Sequence, residues 1–208
     1  GYMRIIKSEI ITETIKELCI KGACHLPTDV YNRLLEAIST EDSPVSKHTL
    51  EILKENADIA ANNQEPICQD TGMACIFVEI GQEVYVEGNL TEAINEGVRQ
   101  GYTEGYLRKS VVDDPVFDRI NTKDNTPAII HYDIVPGDKL KITVAPKGFG
   151  SENMCQVKML KPSDGIEGVK DFILKVVEDA GPNPCPPIVI GVGIGGTFDH
   201  VTYLAKKA

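Results

Sequence analysis

A cysteine, an amide and a carboxylate stand side by side at Cys68, Gln69 and Asp70. A thiolate is a soft metal ligand, and a carboxylate two residues away can exchange protons at a neighbouring oxygen. Pro66 stiffens the entry to this stretch, Gly72 frees its exit, and strand-like sequence from Met73 to Val78 follows at once. Such a turn at a strand edge reads as a site. A second cysteine, Cys185, is set among Pro184, Pro186 and Pro187. That rigid, non-helical loop suits a metal ligand, and suits an ordinary loop thiol equally well. In the stretch from Lys147 to Asn153, Gly148 and Gly150 let backbone amides approach a ligand closely beside a lysine. The same glycines would also serve a simple strand-to-helix turn.

Other patterns carry less chemistry. Gly191, Gly193 and Gly196 match G-x-G-x-x-G, but no returning strand and no acidic residue about 20 positions on follows them. Close backbone packing, or an anion-facing loop, fits them better than a dinucleotide. His25, His48, His131 and His200 are not at ligand spacing, and only His200, beside Asp199, has unusual surroundings. There is no Cys-x-x-Cys pair and no nucleophile elbow, which argues against zinc ribbons, thioredoxin chemistry and serine hydrolases. Cys19, Cys24, Cys75 and Cys155 read as small buried hydrophobes.

The elements that must position these residues are legible in outline. Ile5, Ile6, Ile10, Ile11, Ile15 and Leu18 recur at helical spacing, with Gly22 as a stop. Thr28 or Asp29 opens a second helix and Ser46 a third, ending near Asn62. Ala74 to Ile80 reads as a strand, residues 81–83 as a turn and Val84 to Val86 as a second strand. Leu90 to Leu107 forms an amphipathic helix with Thr91 as cap. Ala128 to Val135 and Leu140 to Ala145 read as a hairpin about Pro136-Gly137-Asp138. Helix is expected from the glycine loop through Leu160 and from Gly165 to Ala180, with a buried strand at Ile188 to Val192. The fold class is α+β: N-terminal helices, then a mixed, largely antiparallel sheet with packed helices, in one domain over residues 3–208. Gly1 and Tyr2, ahead of Met3, read as a remnant. The helix opening at Asp199 reaches Ala208 without a glycine cap, which reads as a chain cut short at its C-terminus.

The 208 residues are 42% hydrophobic and 25% charged, with a net charge of −10. That balance disfavours nucleic acid and anionic membrane surfaces as partners, but not a small anionic substrate held by local positive charge at Arg108, Lys109 or Lys147. No apolar run approaches the ~18 residues of a membrane span, and six cysteines without a secretory signal point to the cytoplasm.

Four stretches in register make the sequence specific: Pro66-Ile-Cys-Gln-Asp-Thr-Gly72, Leu107-Arg-Lys-Ser-Val-Val112, Lys147-Gly-Phe-Gly-Ser-Glu-Asn-Met154 and Asn183-Pro-Cys-Pro-Pro187. Together they resemble the α subunit, or N-terminal domain, of the iron–sulfur-dependent class I fumarate hydratases and the related L-tartrate dehydratases, from Met3 onward. The resemblance implies a hydro-lyase that hydrates fumarate to malate with a [4Fe–4S] cluster whose open iron is a Lewis acid. It implies Cys68 and Cys185 as two of three cluster thiolates, with the third beyond residue 208, and a β subunit supplying the base. It excludes Cys155 from the ligand set. On that footing Asp70 exchanges a proton with the substrate hydroxyl, Gln69 and Arg108 hold carboxylates, and amides at Gly148 and Gly150 add donors. L-tartrate dehydration to oxaloacetate is the alternative, and a non-catalytic assembly role, inactive without the partner, is the competing class. An oligomer is expected.

Overall fold

The computed structural model describes residues 1–208, in two compact units, Gly1–Lys147 and Gly148–Ala208. In the first unit the elements run β1 (Arg4–Lys7), α1 (Ser8–Cys24), α2 (Thr28–Thr40), α3 (Pro44–Asn63), β2 (Met73–Gly81), β3 (Val84–Glu87), α4 (Leu90–Glu104), β4 (Ile129–Val135) and β5 (Leu140–Lys147). In the second they are α5 (Phe149–Glu152), α6 (Gly165–Ala180) and α7 (Phe198–Lys207). The class is α+β, as the patterning predicts.

The core of the first unit is built by two helices on one face of a sheet. Along α4, Ala93, Ile94, Gly97, Val98, Gly101 and Tyr102 are buried, a stripe at i, i+3 and i+4 spacing. It meets Ile11, Ile15 and Cys19 of α1, and Ala74, Ile76 and Val78 from alternate positions of β2. Two glycines of α4 set the helix separation. A Cβ on Gly97 would lie 2.6 Å from the Ile15 Cβ, and one on Gly101 would lie 2.9 Å from the Cys19 Cβ.

The three-stranded sheet has the order β4-β2-β5, with β4 parallel and β5 antiparallel to β2. The hairpin expected between β4 and β5 is therefore split, because β2 lies between its two arms. The reason is visible at the turn. Gly81 donates its amide to the Lys139 carbonyl at 2.8 Å, Gln82 to Val135 at 2.8 Å and Glu83 to Gly137 at 2.9 Å. A Cβ at Gly81 would sit 2.3 Å from the Gly137 oxygen, so the turn closes over the end of β2 only because that residue is glycine. A separate two-stranded sheet pairs β1 with β3 in parallel.

Several boundaries differ from the sequence expectation. Ile5 and Ile6 lie in β1, not in the first helix, because non-local pairing with Tyr85 and Val86 overrides a helical spacing that β-branched residues satisfy in either form. Gly22 does not stop α1. Its missing Cβ instead admits the ring of Pro146, 3.2 Å from where that Cβ would be. Ser43, not Ser46, caps α3, accepting the Ser46 amide at 3.4 Å. Asn89, not Thr91, caps α4, accepting the Glu92 amide at 3.0 Å.

In the second unit, residues 153–160 are not helical: the chain leaves α5 after Glu152. Residues 188–192 are neither strand nor buried. The segment runs without ladder partners along α7. Gly191 and Gly193 face that helix so closely that a Cβ would meet the Ala205 and Val201 carbonyl oxygens at 2.2 and 2.3 Å. The glycine-rich stretch thus serves close backbone packing.

Candidate active site

The turn carrying Cys68, Gln69 and Asp70 is suspended between helices α1 and α3 and the head of β2. Ile67 donates its amide to the Ala23 carbonyl at the end of α1, 2.9 Å away, and accepts from the Asn56 side chain on α3 at 3.0 Å. The chain then bends tightly, with the Thr71 amide donating to the Gln69 carbonyl at 3.1 Å. Gly72 takes a left-handed φ of +56°, and β2 starts at the next residue. Within the bend the Asp70 amide lies 3.4 Å from the Cys68 sulfur, to which it donates. Cys68 and Asp70 are half-buried and Gln69 is exposed.

Arg108 lies on the loop that follows α4, and its side chain is exposed. The Thr71 hydroxyl donates to the Arg108 carbonyl at 2.8 Å, which seats this loop against the cysteine turn. The Tyr102 hydroxyl donates to the Thr71 carbonyl at 3.3 Å from a side chain that is 1% exposed. Burial drives the Tyr102 phenol well above its usual value, so it stays a neutral donor. Gln69, Asp70 and Arg108, three of the residues singled out from sequence, are thus mounted on neighbouring loops of one unit. Thr71 and Tyr102, which hold those loops, carry no mark in the sequence beyond Thr71's place inside the motif.

The second unit holds the other candidates. Gly148 caps the single-turn α5, and its carbonyl accepts from the Glu152 amide at 2.9 Å and from the Ser151 hydroxyl at 2.9 Å. Lys206 of α7 pairs with Glu152 at 2.6 Å. Gly150 is half-buried inside that turn, and Cys185 is exposed on its proline loop. Cys155 is exposed, not buried, with its sulfur 3.6 Å from the Ser151 carbonyl. It follows the short helix, where no apolar layer covers it. Asp199 accepts the Thr197 hydroxyl at 2.6 Å and sits at the start of α7, while His200 stacks on Tyr203 with ring centroids 5.4 Å apart. The Thr197 hydroxyl, with backbone amides, holds the Asp199 carboxyl below its usual value. No three His, Cys, Asp or Glu side chains converge as a metal-binding group.

The fumarate hydratase (Fumerase) family matches residues 12–208. The chain belongs to that family. Its relatives include a Methanocaldococcus jannaschii protein that carries the provisional name L(+)-tartrate dehydratase subunit alpha. It is 45% identical over 203 residues, 95% of this chain and 71% of that protein. An Escherichia coli protein named L(+)-tartrate dehydratase subunit alpha is 31% identical over 202 residues, covering 95% of this chain and 66% of its own length. A Shigella sonnei protein of the same name is 30% identical with the same coverage. The chain thus spans between 66% and 71% of the length of these Fumerase-family relatives. No helix is long and apolar enough to cross a membrane.

Proposed function

We propose that the chain is the α-subunit part of a hydro-lyase that adds water to, or removes it from, a four-carbon dicarboxylate. The observation that carries this reading is the seating of the Cys68–Gly72 turn against the Arg108 loop through the Thr71 hydroxyl. It puts an amide, a carboxylate and a guanidinium on adjoining loops, which suits a substrate with an anionic group at each end and a hydroxyl between. Gln69 donates to one carboxylate. Arg108 offers a planar, bidentate fork to the other. Asp70 exchanges a proton at the substrate hydroxyl, a role worth about 10²–10⁴-fold. By motif resemblance the Gly148 and Gly150 amides add carboxylate donors, and Cys68 and Cys185 supply two thiolates to a [4Fe–4S] cluster. When bound, such a cluster offers an open iron as a Lewis acid. The third thiolate and the base that takes the carbon-bound proton come from elsewhere in the complete enzyme, the base from a β subunit. The setting is cytoplasmic.

Fumarate hydration to malate is the primary reading. Dehydration of L-tartrate to oxaloacetate is the second, favoured by the names of the relatives. The test is to assemble the full-length protein with its partner subunit anaerobically, with iron and sulfide, and assay both reactions. Turnover of either is expected. An assembled, cluster-loaded complex that converts neither compound sinks the hydro-lyase.

A further inference from the structure

We propose that Asn125 is a positioning residue that fixes the distance between the Gln69–Asp70 turn and the Arg108 loop; this rests on the dicarboxylate site proposed above. Asn125 is 0% exposed, yet it is polar and lies in no helix or strand. Its side chain touches both site loops at once. The carboxamide oxygen accepts from the Ser110 amide at 2.9 Å and from the Val111 amide at 3.1 Å. The carboxamide nitrogen donates to the Gly72 carbonyl at 2.9 Å. The Tyr102 hydroxyl supports the same turn from the helix side, donating to the Thr71 carbonyl at 3.3 Å. The orientation of the amide is forced, because a reversed group would set its donors against two backbone N–H groups. One planar group thus bridges residue 72, at the exit of the cysteine turn, to residues 110 and 111, just past Arg108.

The bridge stands on a firm base. Asp124 binds Arg99 of α4 at 3.0 Å, and Ala128 donates its amide to Asn95 of α4 at 2.8 Å. Asn121 donates to the Lys109 carbonyl at 2.9 Å, and Thr122 donates its amide to the Val111 carbonyl at 3.0 Å. At Asn125 φ is +61°, a left-handed conformation that asparagine tolerates better than most residues. Backbone and side chain therefore both call for asparagine here. Rotamer freedom in Gln69 and Arg108 still allows fine adjustment, but the gap their backbones span is set by this amide.

Asn125→Gly keeps the left-handed backbone and deletes the bridge. Asn125→Asp keeps the acceptor for Ser110 and Val111 but replaces the donor to Gly72 with a second acceptor. The experiment uses the full-length protein assembled with its partner, and succinate as a non-reacting dicarboxylate probe. Gln69→Ala and Arg108→Ala are combined in a double-mutant cycle for succinate binding, in the native background and again with Asn125→Gly. Coupled losses are expected in the native background and additive ones with Asn125→Gly, with kcat/KM falling about 10²-fold as alignment is lost. Asn125→Asp should show the same loss of coupling. Slow amide exchange at Ser110 and Val111 in the unmutated protein is expected independently of any variant. Fast exchange at both overturns the bridge. Coupling and kinetics untouched by Asn125→Gly, while the Gln69 and Arg108 variants each weaken succinate binding, overturns the positioning role alone. Succinate binding indifferent to Gln69→Ala and Arg108→Ala overturns the dicarboxylate site and the positioning role with it.

Discussion

A carboxylate and a cysteine share one bend at Asp70 and Cys68, joined through an N–H to sulfur bond. On the proposed hydro-lyase reading, Asp70→Asn in the assembled protein removes the proton carrier while keeping the shape and the backbone donor. The expected result is a fall in kcat of about 10²–10⁴-fold with KM little changed, read from steady-state rates. Arg108→Lys replaces a fork by a point charge, so KM should rise and kcat fall; unchanged kinetics would remove Arg108 from the site. Cysteine reactivity is a second check at this scale. Cys155 is exposed, whereas Cys19 and Cys75 are buried at 1% and 0%. Alkylation at neutral pH followed by peptide mass spectrometry should label Cys155 in the folded protein, and Cys19 and Cys75 only after unfolding. The candidate residues on the cysteine turn and at Arg108 stand out in the sequence because their chemistry is unusual for a turn, and the structure mounts them on adjoining loops. Asn125 was not, because its meaning lies in which backbone groups it meets, and those are 14 and 53 positions away.

At the scale of elements, the α1–α4 contact is set by absent side chains. Gly97→Ala would gain about 1 kcal/mol of helix propensity, but its methyl would meet the Ile15 Cβ at 2.6 Å and the Thr12 carbonyl at 2.7 Å. Backbone cannot yield as a flexible side chain can, so net destabilisation of roughly 1–3 kcal/mol is expected, measured by urea unfolding. A stabilised variant would mean the helices separate freely. The helices themselves were readable from periodicity, since α2, α4 and α6 each carry an apolar stripe. Sheet order was not. Nothing local in β4 and β5 says that β2 will lie between them; that is decided by the three amides at residues 81–83 that bind the crossing turn. Likewise the apolar run at 188–192 has strand composition, but its glycines commit one side to α7, and no neighbouring strand pairs with it.

For the whole molecule, the most telling surface is that run. Ile190 and Ile194 are 52% and 70% exposed on a segment with no ladder partner. An unpaired apolar strand-like edge invites association. Ile190→Thr with Ile194→Thr should lower dye binding and concentration-dependent light scattering while leaving the melting temperature in place. The chain as a whole should also be sensitive to alkali. Burial pushes the Cys19 thiol up from 9.0 to about 12 and raises the Tyr102 phenol as well. The folded state holds both protonated where the unfolded chain would ionise, so stability is full below about pH 9 and declines as pH rises toward 12. Urea midpoints should fall between about pH 8 and about pH 10, and Cys19→Ala should flatten the early part of that decline.

The split hairpin has one more consequence, in time rather than space. β2 is made first, and its two neighbours, β4 and β5, emerge only when residues 129–147 have been synthesised. At about 5–20 residues per second the ribosome leaves the most apolar strand bare on both edges for several seconds. The cysteine turn hangs from the head of that strand and leans on residues 108–125, so it has no settled shape during that interval. Nascent chains halted before Leu140 should therefore be strong chaperone clients.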